Sequence, residues 1–266
     1  MTINTGTHTE ITKIQIDGSQ GKLSAIVQKP QTKPGEKIPM VLLFHGFSSN
    51  KQDIIISTLA DKLSAKGIAS IRIDFNGHGE SEGAFYKMTV LNEIEDAKKT
   101  LNYAKTLNYV SSVSVAGHSQ GGVVASMLAG TAGEEQIQSA VLLAPAAVLR
   151  DDAIRGQTFG VMYDPFNPPE KIQLGENFFL GGDYVRTAFT LPIYETARKY
   201  TGPVCLIHGT GDRVVPYTYS EHYHELYKNS TVHLLPKADH GFSQDLQEAT
   251  NIAVDFLAET TGTALI

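Results

Sequence analysis

Gly117-His118-Ser119-Gln120-Gly121 places a serine between glycines two residues before and two after it. It follows the apolar run 112–116 and opens a stretch that reads as a helix from about 120 to 130. A serine on such a sharp strand-to-helix turn exposes its hydroxyl, and flanking glycines leave room for crowded backbone. The following helix aims its positive N-terminal end at the serine, which favours developing negative charge. The chemistry this allows is attack by an oxygen nucleophile on an acyl carbon. A serine hydroxyl is a poor nucleophile unless a base removes its proton. Among nine histidines, His240 lies in Ala238-Asp239-His240-Gly241-Phe242, just after the last expected strand. Loops at the carboxyl ends of strands are where open parallel sheets place their sites. Holding the imidazole in one tautomer calls for a carboxylate. Asp212, in His208-Gly209-Thr210-Gly211-Asp212, is our choice. Asp239 is the alternative, although neighbours in a turn seldom aim side chains at each other. A tetrahedral oxyanion needs two donors. The backbone N–H of Gln120 should be one and that of Phe47, in His45-Gly46-Phe47-Ser48-Ser49, the other.

The remaining histidines are weaker candidates. His8 lies near the N-terminus, His222 and His224 on a polar helix, and His233 alternates in a strand. His208 reads as structural, and His118 as packing beneath the serine turn. Asp74-Phe75-Asn76-Gly77-His78-Gly79-Glu80-Ser81 resembles a site but is expected to be a tight turn, with Ser81 capping it. Lys51–Asp53 and Lys98-Lys99 are expected on solvated faces, as are Glu93 and Glu95. No histidine and carboxylate cluster has metal-ligand spacing, and no glycine loop suits a dinucleotide, so no metal or cofactor is expected.

The elements that must position these groups alternate along the chain. Strands are expected at 9–16, 22–29, 39–44, 68–73, 112–116, 140–143, 203–208 and 231–235, and helices at 53–66, 89–106, 120–130, 219–227 and 244–259. Strands alternating with helices imply a mostly parallel sheet with helices on both faces, here an α/β fold of about eight strands. The alternation breaks at Ala144-Pro145 and resumes after Tyr200. Residues 145–200 carry Pro165, Pro168, Pro169, Gly181-Gly182 and Pro192, yet hold nine of the 22 Phe and Tyr residues. So long a stretch is expected to be a functional cap covering something apolar. The domain reading is a core of 1–144 and 201–266 with 145–200 inserted as a cap or lid.

The 266-residue chain is 41% hydrophobic and 19% charged, ordinary for a globular protein. Its net charge of −6 offers no basic field to nucleic acid or anionic lipid. The single cysteine, Cys205, excludes an internal disulfide. No basic and apolar leader opens the chain and no apolar run approaches the roughly 18 residues of a membrane span. The expectation is a cytoplasmic enzyme of small molecules, without nucleic-acid or membrane partners; a homodimer is left open.

The chain resembles the α/β-hydrolase superfamily along essentially its whole length. The resemblance rests on His45-Gly46-Phe47, Asp74-x-x-Gly77-His78-Gly79-x-Ser81, Gly117-His118-Ser119-Gln120-Gly121-Gly122, His208-Gly209-x-x-Asp212-x-x-Val215-Pro216 and Asp239-His240-Gly241-Phe242. The order Ser119, Asp212, His240 is the order of that superfamily. More narrowly, the chain is similar to the cinnamoyl (feruloyl) esterases of lactobacilli and other gut bacteria. The matching features are His45-Gly46-Phe47-Ser48-Ser49-Asn50, Leu143-Ala144-Pro145-Ala146-Ala147 and Leu191-Pro192-Ile193-Tyr194-Glu195. That resemblance implies a serine carboxylesterase acting on hydroxycinnamate esters, a small phenolic substrate, through an acyl-enzyme on Ser119. It also implies that a cap aspartate and tyrosine, best matched by Asp152 and Tyr184, meet the phenolic hydroxyl. A pocket glutamine of the family falls on Phe159 here, with Gln157 two residues away as a replacement. The alternatives are a monoacylglycerol lipase or general short-chain carboxylesterase, a carbon–carbon bond hydrolase, and a non-catalytic ligand-binding protein of this fold.

Overall fold

The computed structural model describes residues 9–263; His8 lies outside them. The chain opens with an antiparallel hairpin, β1 (Thr9–Gly18) and β2 (Gly21–Pro30), followed by β3 (Ile38–Phe44), α1 (Ile54–Ala65) and β4 (Ala69–Ile73). Next come α2 (Val90–Thr106), β5 (Val110–His118), α3 (Gln120–Ala132) and β6 (Ala140–Leu143). After residues 145–200, the chain continues with β11 (Val204–Gly209), α7 (Thr218–Leu226), β12 (Ser230–Leu235) and α8 (Leu246–Thr260). One eight-stranded sheet results, in the order β1-β2-β4-β3-β5-β6-β11-β12. β1 and β2 are antiparallel to each other and β2 to β4, whereas the pairs from β4 through β12 are parallel. This is the α/β-hydrolase architecture.

The strand sequences explain the layers. β3, Ile-Pro-Met-Val-Leu-Leu-Phe, is buried at every position, as a strand covered on both faces requires. Successive residues alternate between two apolar clusters. Met40, Leu42 and Phe44 face the cluster containing α2, α3 and α7, while Val41 and Leu43 face that containing α1 and α8. Asp53 caps α1 by accepting the Ile55 N–H at 2.9 Å, and Thr89 caps α2 by accepting that of Asn92 at 3.1 Å.

Residues 145–200, where no regular alternation is expected, contain seven short elements. They are α4 (Val148–Arg155), β7 (Gln157–Thr158), β8 (Val161–Met162), β9 (Lys171–Gly175), β10 (Phe178–Gly181), α5 (Gly182–Phe189) and α6 (Ile193–Ala197). Strands of two to five residues are too short for a period to register. Leu180, Tyr184, Val185, Ala188, Leu191, Ile193 and Tyr200 of this segment share one apolar cluster with α2 and α3, which anchors it.

Two expected solvated residues are buried. Lys51 is 1% exposed because its ammonium pairs with the buried Asp74 carboxylate at 2.5 Å and with Glu80 at 2.8 Å. Asp74 also accepts the N–H groups of Lys51 and Glu80, so the turn 74–81 is organised around this carboxylate. Ser81 donates to the Asp74 carbonyl at 2.6 Å. Glu93 is also 1% exposed, because α2 turns Val90, Glu93, Ile94, Ala97 and Leu101 inward together. Among the described residues no helix is long and apolar enough to cross a membrane.

Candidate active site

Ser119 stands between β5 and α3 with φ 55° and ψ −122°, a left-handed backbone that costs a non-glycine residue on the order of 1–3 kcal/mol. The neighbouring glycines make it attainable. A Cβ on Gly117 would fall 2.1 Å from the Gly121 carbonyl oxygen, and one on Gly121 would fall 2.3 Å from that of Phe44. The Ser119 N–H donates to the Leu143 carbonyl at 2.9 Å, tying the turn to β6.

Asp212 follows β11 and His240 follows β12, so three separate strand ends deliver the three side chains. His240 Nδ1 lies 2.7 Å from Asp212 Oδ2, and its Nε2 lies 2.9 Å from Ser119 Oγ. The carboxylate can only accept from Nδ1–H, so Nε2 is left to accept the serine proton. Asp212 Oδ1 accepts the Val214 and Val215 N–H groups, both at 2.8 Å. Burial by itself would raise the Asp212 pKa. Hydrogen bonds from His208, His240 and the Val215 N–H outweigh it and hold the carboxyl below the usual carboxylate range. Asp239 faces elsewhere and accepts the Ser243 N–H at 2.8 Å, capping its own turn.

His208, read as structural from its strand-end position, touches this constellation. Its Nε2–H is shared between Asp212 Oδ2 at 3.1 Å and the Val215 carbonyl at 2.9 Å, and Ser220 Oγ donates to Nδ1 at 2.7 Å. Its place four residues before Asp212 at a strand end is the signal that could have found it. His118 does lie beneath the turn, and it also donates Nε2–H to the His240 carbonyl at 2.8 Å. Burial, then the neighbouring His240, lowers the His118 pKa to about 4, so the ring is a neutral donor.

The loop after β3 passes directly against the serine. A Cβ on Gly46 would meet the Ser119 Cβ at 3.1 Å. The Gly46 carbonyl accepts from His45 Nδ1 at 2.8 Å and from the Ser49 N–H at 3.2 Å. In a trans peptide the N–H points opposite to the carbonyl, so the Phe47 N–H is turned away from His45. Burial, then His78, lowers the His45 pKa to about 4 and keeps that ring neutral. Among the described residues neither the Phe47 N–H nor the Gln120 N–H has an acceptor in the chain. Two free donors beside a serine hydroxyl can receive an oxyanion.

A cavity of about 530 Å³ opens over Ser119. Phe47, Phe159 and Tyr184 form its aromatic wall, with Phe47 4.6 Å from Phe159 and 5.9 Å from Tyr184 between ring centres. Asp152 and Gln157 line it too, bonded to each other at 3.1 Å. Phe159 and Gln157 therefore both reach the cavity. Tyr184 donates its hydroxyl to Gln120 Oε1 at 2.7 Å.

The serine aminopeptidase family, S33, matches residues 35–163. No curated protein matches the chain. Est1E from Butyrivibrio proteoclasticus, solved with ferulic acid bound, is 31% identical with a TM-score of 0.89. That match covers 94% of this chain and 99% of Est1E. A second Est1E structure is 30% identical over the same shares, with a TM-score of 0.85. The esterase Pf2001 of Pyrococcus furiosus has the same fold at 21% identity, with a TM-score of 0.70 over 95% of this chain and 94% of its own. With near-complete coverage of Est1E at 31% identity, and a serine turn in the matching fold, the chain belongs to the α/β-hydrolase superfamily as a serine hydrolase of the esterase type.

Proposed function

We propose that the chain is a carboxylesterase that cleaves hydroxycinnamate esters through an acyl-enzyme on Ser119. The observation that carries this is the Ser119–His240–Asp212 hydrogen-bond chain opening into an aromatic-walled cavity with Asp152, Gln157 and Tyr184 on its lining. The ferulic acid bound in the similar Est1E supports the acyl class.

In this reading Ser119 Oγ attacks the ester carbonyl as His240 Nε2 takes its proton. The oxyanion forms against the N–H groups of Phe47 and Gln120. The carbonyl re-forms, the C–O bond to the alcohol breaks, and His240 returns the proton to the leaving oxygen. Water then attacks the acyl-enzyme, giving its proton to His240, and the acid leaves as Ser119 regains a proton. Asp212 holds the His240 tautomer and stabilises the imidazolium throughout. Residues 145–200 serve as the cap, and Asp152, Gln157 and Tyr184 meet the phenolic ring substituents from it. These side chains suffice for the chemistry without a cofactor.

The test is a panel of methyl hydroxycinnamates, short-chain esters and long-chain monoacylglycerols, run on the parent and on Ser119→Ala. The parent should prefer the hydroxycinnamates in kcat/KM. Loss of a triad nucleophile typically costs on the order of a million-fold in turnover. A preference for long acyl chains would overturn the substrate class. Residual S119A activity above about 1% would overturn the nucleophile.

A further inference from the structure

Glu93 does not line the cavity, yet it is bonded to Gln120, which does. It is 1% exposed on the first turn of α2, and its Oε2 accepts Gln120 Nε2–H at 2.8 Å. The same nitrogen approaches Met88 Sδ at 3.7 Å, an atom that can only accept from it. The Gln120 amide nitrogen is thus held toward α2 and its oxygen toward Tyr184, a residue of the cavity lining, whose hydroxyl it accepts at 2.7 Å. A phenol has one proton to donate. With that proton committed to Gln120, Tyr184 can offer the cavity only oxygen lone pairs.

We propose that Glu93 is a positioning residue that sets the direction of the chain Tyr184→Gln120→Glu93, so that the cavity selects an acyl group carrying a hydrogen-bond donor where it meets Tyr184. The proposal rests on the hydroxycinnamate reading, in which that donor is the phenolic hydroxyl. An acceptor-only substituent of similar position, such as a methoxy group, would face lone pairs with lone pairs. What Glu93 must supply is an acceptor rather than a charge. Burial pushes its carboxyl well above the usual range, and its Oε1 has no partner among the described residues.

The direction is open to test because two substitutions separate the roles. Glu93→Gln keeps an oxygen in reach of Gln120 Nε2. Glu93→Met keeps the volume but removes the acceptor, freeing the Gln120 amide to turn its nitrogen to Tyr184 and release the phenol proton into the cavity. The readout is the ratio of kcat/KM for methyl 4-hydroxycinnamate to that for methyl 4-methoxycinnamate, measured within each variant so that a general loss cancels. The parent should favour the hydroxyl, with the difference carried mainly by KM. E93M should shrink the ratio about three- to tenfold, the worth of one neutral hydrogen bond. E93Q should keep it within about threefold of the parent.

An unchanged ratio in E93M, including equal losses on both substrates, would overturn the proposal, as would E93Q falling as far as E93M. If E93M does not fold, Tyr184→Phe carries the test. It removes the oxygen that accepts, so a retained ratio there overturns the proposal. A parent that hydrolyses acetate esters but no hydroxycinnamate sinks the substrate reading and this inference with it. Hydroxycinnamate turnover with an unchanged E93M ratio sinks the inference alone.

Discussion

Asp212→Asn changes one atom of the constellation and should nearly silence it. Asp212 Oδ1 is claimed by the N–H groups of Val214 and Val215, both at 2.8 Å, so the asparagine must place its oxygen there. Its NH2 then occupies the Oδ2 position, facing two imidazole nitrogens. His208 Nε2–H cannot withdraw easily, because the Val215 carbonyl holds it at 2.9 Å and Ser220 holds the other nitrogen at 2.7 Å. His240 responds by accepting from the amide at Nδ1, which moves its proton to Nε2. That nitrogen, 2.9 Å from Ser119 Oγ, would then donate instead of accepting. A triad held in the wrong tautomer loses about 10⁴ in kcat, or roughly 5 kcal/mol of transition-state stabilisation. The assay is kcat on an activated ester between pH 7 and 9, with the fold checked by circular dichroism. Asp239→Asn is the control and should stay within about twofold, since Asp239 caps its own turn. D212N activity within tenfold of the parent, with an intact fold, would refute the tautomer argument. The variant also loses an acid-sensitive part of its stability. The folded Asp212 pKa is depressed, so its contribution is present above the unfolded value of about 3.9 and is lost as pH falls below it.

Lys51→Met should leave Asp74 as an uncompensated buried charge, destabilising the fold by about 3–5 kcal/mol. With an unfolding entropy of about 2.1 cal/mol/K per residue, that lowers Tm by roughly 5–9 °C in a chain this long; calorimetry showing a change under about 2 °C would contradict it. His45 and His118 are buried and neutral, with pKa values lowered to about 4. Unfolding lets each take a proton below about pH 6.5, so each should withdraw up to roughly 3 kcal/mol of stability as pH falls from about 6.5 to 4, against the opposite contribution of the buried Glu93 carboxyl. Urea midpoints should therefore depend less steeply on pH in His118→Gln than in the parent across that window; an unchanged pH dependence in the variant would count against the His118 assignment.

The residue types, their order and the strand ends that carry them were readable from sequence because each leaves a local mark. The glycines around Ser119, the continuous apolar run of β3 and the spaced apolar residues of α2 follow from backbone geometry and burial within a few residues. Even Glu93 carried a signal, since it falls on the stripe of Val90, Ile94, Ala97 and Leu101. What the stripe could not say was which partner waits there. Gln120 is 27 residues away, Lys51 meets Asp74 across 23, and His240 meets Ser119 across 121. A charged residue is placed on the surface by default because burying it unpaired is costly. Only the tertiary structure shows that the carboxylates at 74 and 212 and the amide at 120 are already in place to receive such groups. The short elements between 145 and 200 were hidden for a related reason. Their burial comes from packing on α2 and α3, and not from any period of their own.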